Sequence, residues 1–374
     1  MENLNILVTG GAGFIGSHLV DALVTRGHRL RILDSLVEQV HGQVVPPHLN
    51  TQAEFIKADV CDGEAVSKAL DGIDVVYHQA AEVGVGQSMY EIVRYVKAND
   101  LGTAVLLEEM IKRPRQFKKM VVASSMSIYG EGAYRCDTCN VKINPFLRPN
   151  EQLAAHDWEF GCKKCGGLLE PVGTPEDKPL FPTSVYAVTK QDQEQYCLAV
   201  GRAYKIPTVA FRYFNVYGMR QALSNPYTGI CAIFSSRLMN DQAPTIFEDG
   251  EQSRDFVNVK DIVRANLLAL ETDKADYESL NIGTGRATTV KQIARLLAKG
   301  LGKNIEAEIV GKYREGDIRH CVADISKARK LLGYEPQVTL EKGLAELLNW
   351  LGEQEAEDKV ESATAELASR SLVK

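Results

Sequence analysis

Asn5-Ile-Leu-Val-Thr9 is a short apolar run that opens directly into Gly10-Gly-Ala-Gly13-Phe14-Ile15-Gly16. The order is strand, glycine turn, helix, and few architectures accept it. The glycines fit Gly-x-Gly-x-x-Gly from Gly11 and Gly-x-x-Gly-x-x-Gly from Gly10. Such a turn lets the backbone approach a pyrophosphate, which then rests on a helix N-terminus. Gly10, Gly13, Phe14, Ile15 and Gly16 are therefore candidates for binding a dinucleotide. Arg29-Leu-Arg-Ile-Leu-Asp34 reads as the second strand, and Asp34 ends it 18 residues after Gly16. A carboxylate there suits the adenosine ribose hydroxyls and repels a 2′-phosphate, which favours NAD over NADP. The plainer alternative makes Asp34 a turn residue.

The alternation continues with strands at Glu54–Asp59, Asp74–His78 and Lys119–Ser124, and with helices at Gly63–Leu70 and Tyr90–Lys112. Repeated units of this size specify a parallel sheet covered on both faces. Ligands of such sheets sit beyond the carboxyl ends of the strands. That rule places Ala80, Ala81 and Ser124-Ser125-Met126-Ser127 in the cleft. The rhythm breaks at 131–178, then returns with a helix at Tyr186–Tyr204 and a strand at Pro207–Arg212. Arg254-Asp-Phe-Val-Asn-Val reads as one further strand, and Val263–Leu270 and Val290–Gly300 as helices.

Tyr186 and Lys190 are four residues apart and share a helix face. A phenol titrates near ~10 and must fall about three units to act as a base at neutral pH. One ammonium about 4 Å away supplies an energy of that order. A surface tyrosine lying over a lysine stem would give the same spacing, so context decides. The bulk properties narrow the context. The chain has 374 residues, 45% hydrophobic and 25% charged, with a formal charge of −6. That is enough for two lobes, and the acidity argues against nucleic acid or an anionic membrane as partner. No apolar run is long enough to span a bilayer, and the N-terminal stretch does not read as a signal peptide. A cytoplasmic location is expected.

Taken in order, these pieces resemble the extended short-chain dehydrogenases, and within them the NAD-dependent sugar-nucleotide epimerases and dehydratases. The matching segments are Thr9–Gly16, Asp34, Asp59-Val60, His78–Ala81, Asn99–Thr103, Ser124–Gly130, Tyr186-x-x-x-Lys190, Arg212–Gly218, Arg254–Val257 with Asp261, and Asn281–Gly285. The resemblance implies a Rossmann domain at 1–130, 179–214 and 255–285. It also implies a smaller sugar-nucleotide domain at 215–254 and 286–351. Residues 352–374 are expected to form a flexible tail, being charged and poor in aromatics. By the same resemblance Tyr186 is the base, Lys190 binds the nicotinamide ribose and lowers the tyrosine pKa, and Ser125 holds the reacting hydroxyl. Asp59, Val60 and Asn99 join the cofactor site; Ser127, Asn215 and Arg254 join the substrate site. A homodimer is implied too. Related 4,6-dehydratases carry Asp-Glu after the residue matching Ser125, where this chain has Met126 and Ser127. Methionine cannot move a proton, so 4-epimerisation through a transient ketone is favoured over dehydration.

Cys136-x-x-Cys139 and Cys162-x-x-Cys165 are separated by 22 residues. Two such pairs fit a closed tetrahedral structural zinc site of the ribbon type. The insertion at 131–178 reads as too small for a core of its own, so metal would supply its folding energy. Six Lys/Arg face eight Asp/Glu within it, which leaves no cationic footprint for nucleic acid. It is expected to be a structural flap beside the sugar site. With Val40-His41-Gly42, the insertion resembles the dTDP-L-rhamnose 4-epimerase subgroup, whose members interconvert dTDP-L-rhamnose and dTDP-6-deoxy-L-talose. A dTDP- or UDP-linked sugar is then the expected substrate. A 4,6-dehydratase, or an NAD-responsive binding protein with a zinc docking module, are the competing readings.

Overall fold

The central sheet of the computed structural model has seven strands. Their order is Ser279–Ile282, Thr208–Tyr213, Lys119–Ser125, Val75–His78, Asn5–Thr9, Arg29–Asp34 and Glu54–Lys57. Residues 3–42, 44–113 and 115–374 are described. Every neighbouring pair in the sheet is parallel. Successive side chains leave a strand on opposite faces. Ile6 and Val8 accordingly enter one core with Tyr77, Val121 and Phe211, while Leu7 enters another with Val76, Val122 and Met110. Lys119–Ser125 is buried along its whole length. The expected doubly wound parallel sheet forms, for the expected reason.

The second lobe departs from the sequence reading. Its sheet has six strands, in the order Thr288–Thr289, Ser253–Arg254, His320–Ala323, Glu170–Thr174, Ala133–Cys136 and Val141–Ile143. Three of these come from the cysteine insertion, so that segment extends the lobe's own sheet instead of forming a separate flap. Nor is it coreless: Tyr134, Phe160 and Leu169 pack with Cys136 and Cys162. The strand expected across Arg254–Val259 is broken at Asp255. Its buried carboxylate accepts from Thr284 N (2.8 Å), Thr284 Oγ1 (2.6 Å) and Gly285 N (2.8 Å). The halves on either side join different sheets, Ser253–Arg254 pairing with His320–Ala323 and Phe256–Asn258 with Asn215–Tyr217.

Two further expectations are corrected. The helix read over Tyr90–Lys112 is interrupted by a six-residue π-helical stretch, Val96–Leu101, between Ile92–Tyr95 and Gly102–Ile111. The supposed flexible tail folds into helix Val360–Ser369, with Ala363 and Leu367 buried. Its last residues bridge to the loop around Arg314. Charge and scarce aromatics misled, because two apolar residues four apart are enough to seat a short helix against an existing surface.

Candidate active site

A cleft of about 650 Å³ runs along the carboxyl ends of the central strands and between the lobes. Its floor is the glycine turn. Gly10 has φ +68°, and a Cβ there would lie 2.7 Å from the Ala80 amide nitrogen. A Cβ on Gly16 would sit 2.1 Å from the Gly10 carbonyl oxygen. Only glycine permits this packing. The turn delivers the first turn of helix Phe14–Thr25 to the cleft, with its amides available to an anion. Gly13, Phe14, Ile15, Asp34, Asp59, Val60, Ala80 and Ala81 all line it. Asp34 is oriented by amide donors, Ala12 N on Oδ2 (3.0 Å) and Leu36 N on Oδ1 (2.9 Å). Each oxygen keeps a lone pair for a ribose hydroxyl. The cradle and the acid fit a dinucleotide lacking a 2′-phosphate.

Asn99 does not reach the cleft. It is fully buried, and its Oδ1 accepts from Glu82 N (2.7 Å). Its amide nitrogen donates to the Glu82 carbonyl (3.1 Å) and to Thr189 Oγ1 (2.9 Å). The π-helical stretch carries this residue inward, where it ties the Glu82 loop to helix Val185–Tyr204.

That helix starts at Ser184, whose hydroxyl accepts from Ala187 N (3.1 Å), and so presents Tyr186 at the cleft from its first turn. The Tyr186 amide donates to Ser88 Oγ (3.0 Å), and the ring packs edge-on against Tyr95 at 6.5 Å. Tyr186, Lys190, Ser125 and Ser127 share the lining. The Ser127 hydroxyl donates to Ser125 Oγ (2.9 Å), leaving the Ser125 proton free for a third partner. Lys190, one turn on, is almost fully buried; its ammonium donates to the Ala123 carbonyl and to Gln193 Oε1 (2.8 Å). Gln193 is fixed in turn by donating to Thr103 Oγ1 (2.9 Å).

The electrostatics run against the simple expectation. Burial pushes the Tyr186 phenol above its ordinary value, and only the hydrogen bond with Ser125 pulls it down. Burial also depresses Lys190, to about 8. Removing either group from water disfavours its charged form, and here that outweighs the mutual help that helix spacing alone suggested.

Of the expected substrate residues, Asn215 lines the cleft with its buried Oδ1 lacking a partner. Arg254 lines it too, its guanidinium spread over the carbonyls of Ser253 (2.9 Å), Arg319 (2.9 Å) and Ile318 (2.7 Å). Sequence reasoning missed Gln252, whose Oε1 is likewise buried and unpartnered in the lining, and Arg314, which stacks on Phe247 at 4.9 Å. Gln252 lies two residues before Arg254, so the motif pointed at it. It missed Val360, Ala363, Thr364 and Leu367 of the last helix altogether.

The four paired cysteines converge away from the cleft. Their sulfurs lie within 4.8 Å of one another, with Cys136–Cys165 at 3.5 Å and Cys139–Cys162 at 3.9 Å. Tetrahedral zinc with Zn–S bonds of about 2.3 Å separates sulfurs by about 3.8 Å, so the donor set fits. No residue of 131–178 is among the cleft lining. The insertion touches it at one remove, where Arg148 donates to both oxygens of Glu248 (2.9 and 2.7 Å), a lining residue.

Residues 6–156 match the model of the NAD dependent epimerase/dehydratase family, and residues 165–347 that of GDP-mannose 4,6 dehydratase. A dTDP-L-rhamnose 4-epimerase of Burkholderia thailandensis is 36% identical, covering 95% of this chain and 96% of that protein. The UDP-glucose 4-epimerase of Thermotoga maritima, solved with UDP-glucose, superposes with a TM-score of 0.77 at 35% identity. It covers 94% of this chain and 99% of that one. The UDP-glucuronic acid 4-epimerase of Bacillus cereus, solved with its sugar nucleotide and NAD, gives 0.77 at 31% identity, with the same coverages. With the glycine turn, Asp34 and the Ser-Tyr-Lys cluster in one cleft, the chain belongs to the NAD-dependent epimerase/dehydratase family.

Proposed function

We propose that the protein is an NAD-dependent nucleotide-sugar 4-epimerase, an isomerase, acting on a dTDP- or UDP-linked 6-deoxyhexose, with dTDP-L-rhamnose and dTDP-6-deoxy-L-talose as the favoured pair. Tyr186 removes the proton of the sugar 4-hydroxyl, which Ser125 positions by hydrogen bonding. Among the described residues Lys190 is the one lysine in the lining, so its ammonium is placed to steady the phenolate. NAD bound in the cradle would take the hydrogen of the same carbon with its electrons and return them to the other face. Between those events the 4-keto sugar turns over, and Tyr186 hands back its proton, so acid–base work falls to a single residue.

One observation carries this reading over dehydration: no lining carboxylate is unengaged among the described residues. Asp34 and Asp59 hold backbone amides. Glu82 pairs with Arg94 (2.8 Å), Glu248 with Arg148 and Arg319, and Asp317 with Arg314 (2.7 Å). Water loss needs an acid–base pair at the sugar, and Met126 and Ser127 do not supply one. The same inventory favours a neutral sugar. The lining cations are Lys190, Arg254 and Arg314, and the two arginines suit the diphosphate. A uronate carboxylate would lack a counter-charge.

Zinc in the four-cysteine cluster is read as structural. The shallow apolar face of Leu101, Leu107, Ile111, Tyr196 and Val200 suits a second copy of the chain. No described helix is long and apolar enough to cross a membrane. The test is product analysis by mass spectrometry and proton NMR after incubation with dTDP-L-rhamnose. An epimer of equal mass without net NADH is expected; a product lighter by one water, or none from any sugar nucleotide, defeats the reading.

A further inference from the structure

Helix Val360–Ser369 belongs to neither large sheet, yet Val360, Ala363, Thr364 and Leu367 line the cleft. It bridges the lobes. On one side Leu367 packs on Gly86, where an added Cβ would lie 3.3 Å from its Cδ1, and Arg370 stacks 4.4 Å above the Tyr90 ring. On the other, Arg237 donates to Asp358 (3.1 Å), and Lys374 exchanges backbone hydrogen bonds with Tyr313 (2.9 and 3.0 Å). The Glu315 amide donates to the Leu372 carbonyl (3.0 Å). Arg314, held between these bonds, is itself a cleft residue.

We propose that this C-terminal segment is part of the sugar-nucleotide site: Thr364 and Leu367 contact the bound sugar nucleotide, and the helix lifts to let it exchange. The proposal rests on the functional reading above. An epimerase ends each turnover with its dinucleotide restored, so the ligand that must pass in and out is the sugar nucleotide. The walls built from the central strands are rooted in the large cores, but this helix buries only Ala363 and Leu367. Its ion pairs Arg370–Glu366 and Lys374–Glu315 are exposed and contribute little. A segment held so lightly opens at a free energy well below that of global unfolding, as closing elements of active sites do. Its cleft face carries one hydroxyl and three apolar side chains with no charge. That matches the uncharged nucleoside base, and not a phosphate.

Hydrogen exchange of residues 357–374 with dTDP or UDP as probe, together with the kinetics of Leu367→Ala and Arg370→Ala, tests this. Either diphosphate should slow exchange of the 360–369 amides by about tenfold. Both variants should raise KM for the sugar nucleotide roughly five- to tenfold, with kcat within about threefold and NAD content per chain unchanged. Exchange indifferent to bound diphosphate overturns the proposal, as do an unchanged KM in both variants or loss of NAD. Binding of neither diphosphate overturns it together with the functional reading, whereas binding without protection overturns it alone.

Discussion

Strand Lys119–Ser125, third of seven in the NAD-side sheet, is buried end to end, its Met120–Ala123 stretch entering two apolar cores. Strand His320–Ala323 holds the same place in the second sheet, but its entry is ionic. Arg319 is almost fully buried and binds Glu159, Glu248 and Asp249, while Glu131 accepts from the amides of Arg319 and His320 (both 2.7 Å). The first lobe is held mainly by apolar burial that tolerates many substitutions, with the buried Arg212–Glu194 pair set into it. The other depends on particular charges meeting in a particular geometry. Stability and catalysis should therefore fail separately.

The sharpest test is Tyr186→Phe, which removes the proposed proton carrier from the well-packed lobe. Turnover should fall by at least ~10², while NAD content and the unfolding midpoint hold; a loss of stability of similar weight would break the contrast. Arg319→Met is the counterpart. Losing its contacts with half-exposed Glu159 and Asp249 and with buried Glu248, which keeps Arg148, should cost about 3 kcal/mol, seen in denaturant unfolding, with NAD still bound by the intact first lobe. Asn99→Ala should cost about 1–3 kcal/mol through the unpaired Glu82 amide and carbonyl. If it abolished NAD binding with stability intact, Asn99 would be a ligand after all.

The pH dependence separates the lobes more gently. Burial raises the Glu159 carboxyl, but hydrogen bonds from His320 and Arg319 outweigh it and hold it at about 2. Its contribution is then present above the unfolded value near ~4.3 and lost as pH falls toward 2. Lys190 works in the opposite range. Folded, it releases its proton near 8, and unfolded only near ~10.4. Folding therefore sheds a proton between these values, and stability should climb with pH across that window. The slope should flatten in Lys190→Met, measured by chemical denaturation at a series of pH values.

The legible parts of the sequence share a physical cause. Asn5–Thr9, the glycine turn and Asp34 lie within one βα unit, so period and spacing reveal them without knowledge of anything distant. Tyr186 and Lys190 were legible for the same reason, though their charge state was not, because burial depends on Tyr95, Ser125 and Gln193 from elsewhere in the chain. Asn99 sat in a recognisable segment, yet its neighbours in space took its hydrogen bonds. The second lobe's sheet was hidden because its strands run from two to five residues, too few to show a period. The last helix was hidden because its seat on Gly86 and Tyr90 lies more than two hundred residues away.

The pairing of Glu170–Thr174 with His320–Ala323 also dictates a timetable. As the chain leaves the ribosome, Asn5–Ser125 supplies five adjacent strands of the central sheet within the first third of synthesis. The insertion that follows has its cysteines and its own hairpin, but the outer edge of Glu170–Thr174 has no partner until residue 320 has emerged. Contacts that span so much chain form slowly, and an unpaired strand edge is exposed to misassociation while it waits. Early capture of a metal by the four thiols would hold the insertion's hairpin in shape through that interval, so metal supply during synthesis should influence yield more than metal supplied to the finished protein.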